Sequence, residues 1–147
     1  MTPEPIPLRI VIVQPPAGVA WAVQRGRHDL IAPAHQSPDE IVFDVTARLG
    51  RPRAGGVPNL LGDVTQGPPD GRFIYVNAGQ LAGQADSCWQ RRAKVHLRGI
   101  DAAMVASVLA APGARLEARM QGTGARGGPA CATVPLLDGG WRVVSSS

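Results

Sequence analysis

The chain has 147 residues, 44% hydrophobic and 18% charged, with a formal net charge of +4 at pH 7. That is the size and balance of one globular domain, and it excludes a disordered chain. Cys88 and Cys131 are too few and too far apart for a disulfide framework or a CxxC metal site, and the longest apolar run, Ala102 to Ala106, falls far short of the ~18 residues of a membrane helix.

The positive charge is almost all arginine, since Lys94 is the only lysine. Arginine suits planar, two-pronged contacts to carboxylate or phosphate. The codon usage of a GC-rich genome accounts for the same bias, and a charge of this size is ordinary for solubility. The opening MTPEPIPLR carries Glu4 and no apolar segment, so no signal peptide is expected and a cytoplasmic location follows.

In chain order, Pro3, Pro5 and Pro7 predict an extended arm over residues 1–7 that stays out of any ladder. Leu8 to Val13 is β-branched and short, which predicts a strand. Val19 to Arg25 alternates Val19, Trp21 and Val23 against Ala20, Ala22 and Gln24, so it is expected to pair with that strand as a hairpin. Arg27 to Glu40 reads as loop. Ile41 to Arg48 is a strand with Ile41, Phe43, Val45 and Ala47 on one face and Asp44, Thr46 and Arg48 on the other.

Residues 49–71 form a long Gly/Pro-rich connection, a kind of loop that is usually functional or mobile. The strand Arg72 to Val76 is apolar on both faces and is expected to be central. The next strand has the cleanest period-2 pattern of the chain. Arg92, Lys94, His96 and Arg98 point one way, and Ala93, Val95 and Leu97 the other.

Asp101 as N-cap and Pro112-Gly113 as stop frame a helix over about 101–111, with Met104, Val105, Val108 and Leu109 sharing a face laid deep against a sheet. Ala114 to Gln121 alternates Arg115, Glu117 and Arg119 with Leu116, Ala118 and Met120, a half-exposed strand. Two more strands are expected, at Ala130 to Leu137 and Trp141 to Ser145. Strand, helix and strand from Arg91 to Gln121 suggest a parallel crossover, with hairpins elsewhere. The predicted fold is mainly β (α+β): an antiparallel-rich curled sheet of seven or eight strands, a partial barrel or sandwich, with one helix.

The blocks GPPDGRFIYVNAG and WQRRAKVHL, with VQRGR upstream near Gln24, resemble a family of small bacterial proteins known only as a domain of unknown function. The resemblance runs from about Val19 to Met120, and its most specific parts are Arg72 to Tyr75 and Arg91 to Lys94. It implies a small one-domain bacterial protein and brings no activity with it. The Pro-rich arm and the RPRAGGVP segment fall outside the family's pattern.

Several short motifs invite chemistry. Gly122 to Gly127 fits G-x-G-x-x-G, but Pro129 and a β-like run follow where a dinucleotide site needs a helix, so a hairpin turn is expected. Gly50-Arg51-Pro52-Arg53 resembles hooks that lie in A·T-rich minor grooves, although any solvated loop carries such charges. His28, His35 and His96, with Asp29 or Asp39, lack metal-ligand spacing, and no metal or cofactor is expected. Cys88 and His96 make a nucleophile and base only if the loop folds back on the strand.

The strongest signal is the cationic row Arg92, Lys94, His96 and Arg98. Like charges at this spacing repel unless water, carboxylates or an anionic ligand screen them. Pairing with Asp44, Asp101 or Glu117 makes the row a solvated outer face. An open row makes it a binding site, with Tyr75 and Asn77 adding a hydroxyl and an amide. The expected function is a non-catalytic binding module for an anionic small molecule or an acidic protein surface. The alternatives are an enzyme using Tyr75, His96 and Arg92 in a sheet-mouth pocket, and a weak nucleic-acid binder through the RPR loop.

Overall fold

The structure is a computed structural model that describes residues 5–15, 17, 19–26, 29–68, 71–80, 91–122, 132–133 and 135–145. Its strands, in chain order, are β1 (Pro5–Val13), β2 (Val19–Arg25), β3 (Asp29–Ile31), β4 (His35–Gln36), β5 (Glu40–Leu49), β6 (Leu60–Leu61), β7 (Phe73–Gln80) and β8 (Arg91–His96). The helix α1 (Ala102–Ala110) follows, then β9 (Ala114–Gln121), β10 (Ala132–Thr133) and β11 (Arg142–Ser145). The strands form two sheets. One runs β11-β9-β1-β5-β4, with β6 also on β5; the other runs β10-β8-β7-β2-β3.

Period-2 burial explains the stacking of these sheets. In β1, Ile6, Leu8, Ile10 and Ile12 are fully buried. In β5, Ile41, Phe43, Val45 and Ala47 face the same way, as do Leu116, Ala118 and Met120 of β9. Ile10 lies opposite Phe43 on one side and Ala118 on the other, so one row of the inner face spans three strands. Against it the second sheet sets Trp21 and Val23, Ile74 and Val76, and Ala93 and Val95, all within one apolar cluster. The result is a sandwich, mainly β with one helix and without barrel closure.

Several pairings differ from the sequence expectation. β1 and β2 do not form a hairpin: β1 joins β5 and β9, and β2 joins β7 and β3, in opposite sheets. The parallel pairs are β1 with β9 and β10 with β8, so β8, α1 and β9 pass from one sheet to the other rather than crossing over within one. Local alternation shows that a segment is a half-buried strand but carries no information on which strand it meets. The loop expected over 27–40 contains β3 and β4. The arm expected to stay free to residue 7 enters the ladder at Pro5, opposite Arg48, because Ile6 between the two prolines is buried in the core.

Asp101 caps α1 by accepting from the Met104 N–H at 2.8 Å, as its sequence position predicts. The helix packs on β9, β1 and β11 through Val105 and Val108. It lies less deeply than expected, since Met104 is only half-buried and Leu109 is 40% exposed. Beside it, the Trp141 indole N–H donates to the His96 carbonyl at 2.7 Å and ties the start of β11 to the end of β8 in the opposite sheet. Gly122 ends β9 where a Cβ would stand 2.7 Å from the Pro15 Cα, so no larger residue fits that approach.

Phe43 is the largest fully buried side chain among the described residues. Its replacement by Ala should cost about 3–5 kcal/mol, the range for a truncated core aromatic. Urea unfolding of Phe43→Ala measures this, with an unchanged m-value expected.

Candidate functional site

The period of β8 sets its two faces. Ala93, Val95 and Leu97 go into the core, while Lys94 and His96 stand half-buried on the other side. Antiparallel register brings Tyr75 opposite Lys94, Phe73 opposite His96 and Asn77 opposite Arg92. Four of the expected residues, Tyr75, Asn77, Lys94 and His96, thus share one face of the β7–β8 pair. The side chain of Arg92 lies outside the described residues. Arg98 leaves the row, because β8 ends at His96 and Arg98 sits exposed in the turn that follows.

This face is more aromatic and less open than its charges suggest. The Lys94 ammonium stands 4.8 Å from the centroid of the Phe73 ring, a cation–π contact. Phe73 also meets Tyr75 edge-on at 4.9 Å and His96 at 5.7 Å. Asn77 is 2% exposed, and its Oδ1 accepts no hydrogen bond from the described residues. Burial, with smaller contributions from Arg98 and Lys94, holds the His96 imidazole below its ordinary pKa.

The carboxylates offered by the sequence as partners lie elsewhere. Asp101 caps α1. Asp44 and Glu117 belong to the outer face of the other sheet, where register sets Arg142, Glu117, Arg9 and Asp44 in one row. Arg9 grips Asp44 with two hydrogen bonds, at 2.8 and 3.2 Å. That contact raises the pKa of Arg9, against the opposing effect of burial. Arg115 reaches the same carboxylate at 3.5 Å, and Arg142 reaches Glu117 at 3.3 Å.

Arg98 instead joins a recess that the sequence does not announce. Where the β7–β8 pair ends, the Leu97 N–H donates to the Arg72 carbonyl at 3.1 Å, and the loop 50–59 packs over that end of the sandwich. The recess has a volume of about 100 Å³ and is lined by Arg53, Arg72 and Arg98, with Val57, Leu60 and Ile100 as an apolar wall. Arg72 is oriented by its Nε–H, which donates to Asn59 Oδ1 at 3.1 Å, and by Nη1, which donates to the Gly67 carbonyl at 3.2 Å. Arg53 opens a single 3-10 turn, Ala54–Gly56, with its N–H on the Val57 carbonyl at 2.8 Å.

No carboxylate lines the recess among the described residues. Arg9, Arg25, Arg115, Arg119 and Arg142 each reach an acid within 4 Å. Arg53, Arg72 and Arg98 reach none among the described residues. Their convergence is the chemical content of the site: three arginines line one small recess with an apolar wall, and guanidinium groups suit anionic oxygens. Arg72 and Arg53 are the residues that strand-by-strand reading misses. The available signal is that Arg53 lies within the long Gly/Pro-rich connection and Arg72 directly follows it.

A second concavity, a cleft of about 730 Å³, is lined by Arg25, Arg48, Asp44 and Asp63 together with Ile31 and Val64. Its charges are mixed, and Asp44 is already held by Arg9 and Arg115. In the RPR loop Arg51 and Pro52 are exposed, while Arg53 is half-buried and lines the recess. His35 lies on β4 and His96 on β8, in different sheets, while His28 and Cys88 fall outside the described residues, as does the glycine cluster after Gly122. Among the described residues no three His, Cys, Asp or Glu side chains are placed to hold a metal ion.

The lowered pKa of His96 has a definite sign in stability. The unfolded chain takes up the proton near the ordinary value of 6.5 while the native state resists it, so stability falls as pH drops through that value and levels off below the folded pKa. NMR titration of His96 should give a midpoint below 6.5. In Arg98→Ala the midpoint should rise part of the way back, because burial is the larger cause. A native midpoint at or above 6.5 would contradict this account of its surroundings.

Comparison with curated proteins and with solved structures found no match in either set. The family match extends beyond the Val19 to Met120 span expected from sequence and includes the RPRAGGVP segment. A family model described as "Family of unknown function (DUF5990)" matches residues 6–144, nearly the whole chain, and the chain therefore belongs to that family.

Proposed function

We propose that this protein is a non-catalytic binding module that receives an anionic group, carried by a small molecule or an acidic protein surface, in the recess between Arg53, Arg72 and Arg98. One observation carries this reading: three arginines that reach no acid among the described residues line one recess, while five other arginines each reach a carboxylate within 4 Å. Uncompensated charge beside apolar walls favours an anion more than the same charge in open water does. Lys94, His96 and Tyr75 lie half-buried along the adjoining strands and extend the polar surface away from the recess, with the buried Asn77 next to them on the same face. Arg92 precedes them on β8 and is included as a binding residue by its place in that row.

The reading includes a cytoplasmic location, where the module would meet anionic metabolites and acidic surfaces. Among the described residues no helix is long and apolar enough to cross a membrane, which bears on helical spans alone.

Thermal-shift measurements with a panel of organic anions test the proposal, because selective binding to the native state raises apparent stability. A saturable rise is expected that shrinks between about 50 and 300 mM NaCl, as screening of a partly exposed site requires. The double variant Arg53→Ala, Arg98→Ala should melt near the parent temperature and lose the response. An undiminished response in that variant would remove the recess from the function.

A further inference from the structure

We infer that the ligand group held by the three-arginine recess is a phosphoryl group, the terminal tetrahedral oxyanion of a phosphate or phosphate monoester; this rests on the anion-binding reading above. Three features of the recess point there.

The first is direction. Arg53 comes from the loop before the 3-10 turn, Arg72 from the segment entering β7, and Arg98 from the turn leaving β8. Three separate segments of the chain thus each contribute one arginine to the lining of the same recess. A carboxylate offers two oxygens in one plane, whereas a phosphoryl group presents three terminal oxygens in three directions. Arg72 is already committed at Nε to Asn59 Oδ1, so its guanidinium plane is set before any ligand arrives. Asn59 acts here as a positioning residue.

The second feature is charge. Three guanidinium groups are compensated more fully by a phosphate monoester, with about −1.5 to −2 charges at neutral pH, than by a carboxylate with one. The third is size. A volume of about 100 Å³ exceeds what one water needs, about 10–15 Å³, and falls well below the roughly 300–1,000 Å³ of pockets that enclose a whole small molecule. Only the head of a ligand enters. Val57 and Arg98 at the exposed side leave any ester substituent directed to solvent, while Leu60 and Ile100 are buried and close the inner wall.

Free phosphate and an esterified phosphate share this chemistry, and the test separates them. Amide chemical shifts of the full chain are followed with inorganic phosphate, glycerol 3-phosphate and acetate as probes. Both phosphates should move the amides of Arg53, Arg72 and Arg98 and bind at least about tenfold more tightly than acetate. Arg98→Ala, at an exposed position that the fold does not need, should weaken phosphate at least about tenfold; Arg98→Lys, which keeps the charge and loses the fork, should recover only part of it. Tighter glycerol 3-phosphate assigns an ester, and tighter inorganic phosphate assigns the free ion; both support a phosphoryl ligand. Acetate binding as tightly as phosphate at these amides would overturn the phosphoryl assignment and leave the anion-binding reading standing. Silence of these amides with every probe at low salt would overturn both.

Discussion

The fold depends on one dry layer made by alternate side chains of two sheets pressed together. β1 lies at its centre because every second residue from Ile6 to Ile12 is apolar and fully buried. It pairs antiparallel with β5 and parallel with β9, so three segments from the start, middle and end of the chain present one continuous inner surface. The second sheet covers that surface with β2, β7 and β8. Because the side-chain period is 2, a slip of one residue in any of these ladders would turn Ile, Leu and Val outward and charges inward. The register of the core therefore also dictates where the charged side chains emerge.

That register sorts the arginines. On the outer face of the β1 sheet, the order Arg142, Glu117, Arg9, Asp44 alternates in sign across four strands. Each contact of this kind contributes about 0–1 kcal/mol when exposed, somewhat more where the acid is covered, as Glu117 is. The carboxylates on that face are thereby engaged. The arginines at the end of the sandwich receive no such partners among the described residues, and the 50–59 loop brings Arg53 over to Arg72 and Arg98. A fold with few acidic residues neutralises what lies on its sheet and leaves a cationic recess at its edge.

Much of the local structure was legible in sequence. The alternation in β8 and the Asp101 cap of α1 stand as read, because each depends on neighbours within a few residues. In contrast β9, read as half-exposed, has no exposed residue because β11 and β1 flank it. The site was legible only in part. Tyr75 and Asn77 do face the β8 row, since a central β7 beside β8 sets them there. The row itself is shorter than its pattern: the strand stops at His96, and an aromatic ring takes Lys94 as its cation. Arg98 gains its neighbours from loops, whose path no periodicity records.

The amino-acid sequence by itself determined where the long strands run, which side of β1, β5 and β8 is dry, where the helix starts and that the cations are almost all arginine. Tertiary structure alone decided that β1 pairs with β9 rather than with β2, that Asp44 and Glu117 serve the opposite sheet, and that Arg53, Arg72 and Arg98 meet. The division has a physical cause. Side-chain direction follows from the backbone within one strand, whereas strand partners and loop paths are chosen by burying all the dry faces at once, a condition that only the whole chain satisfies.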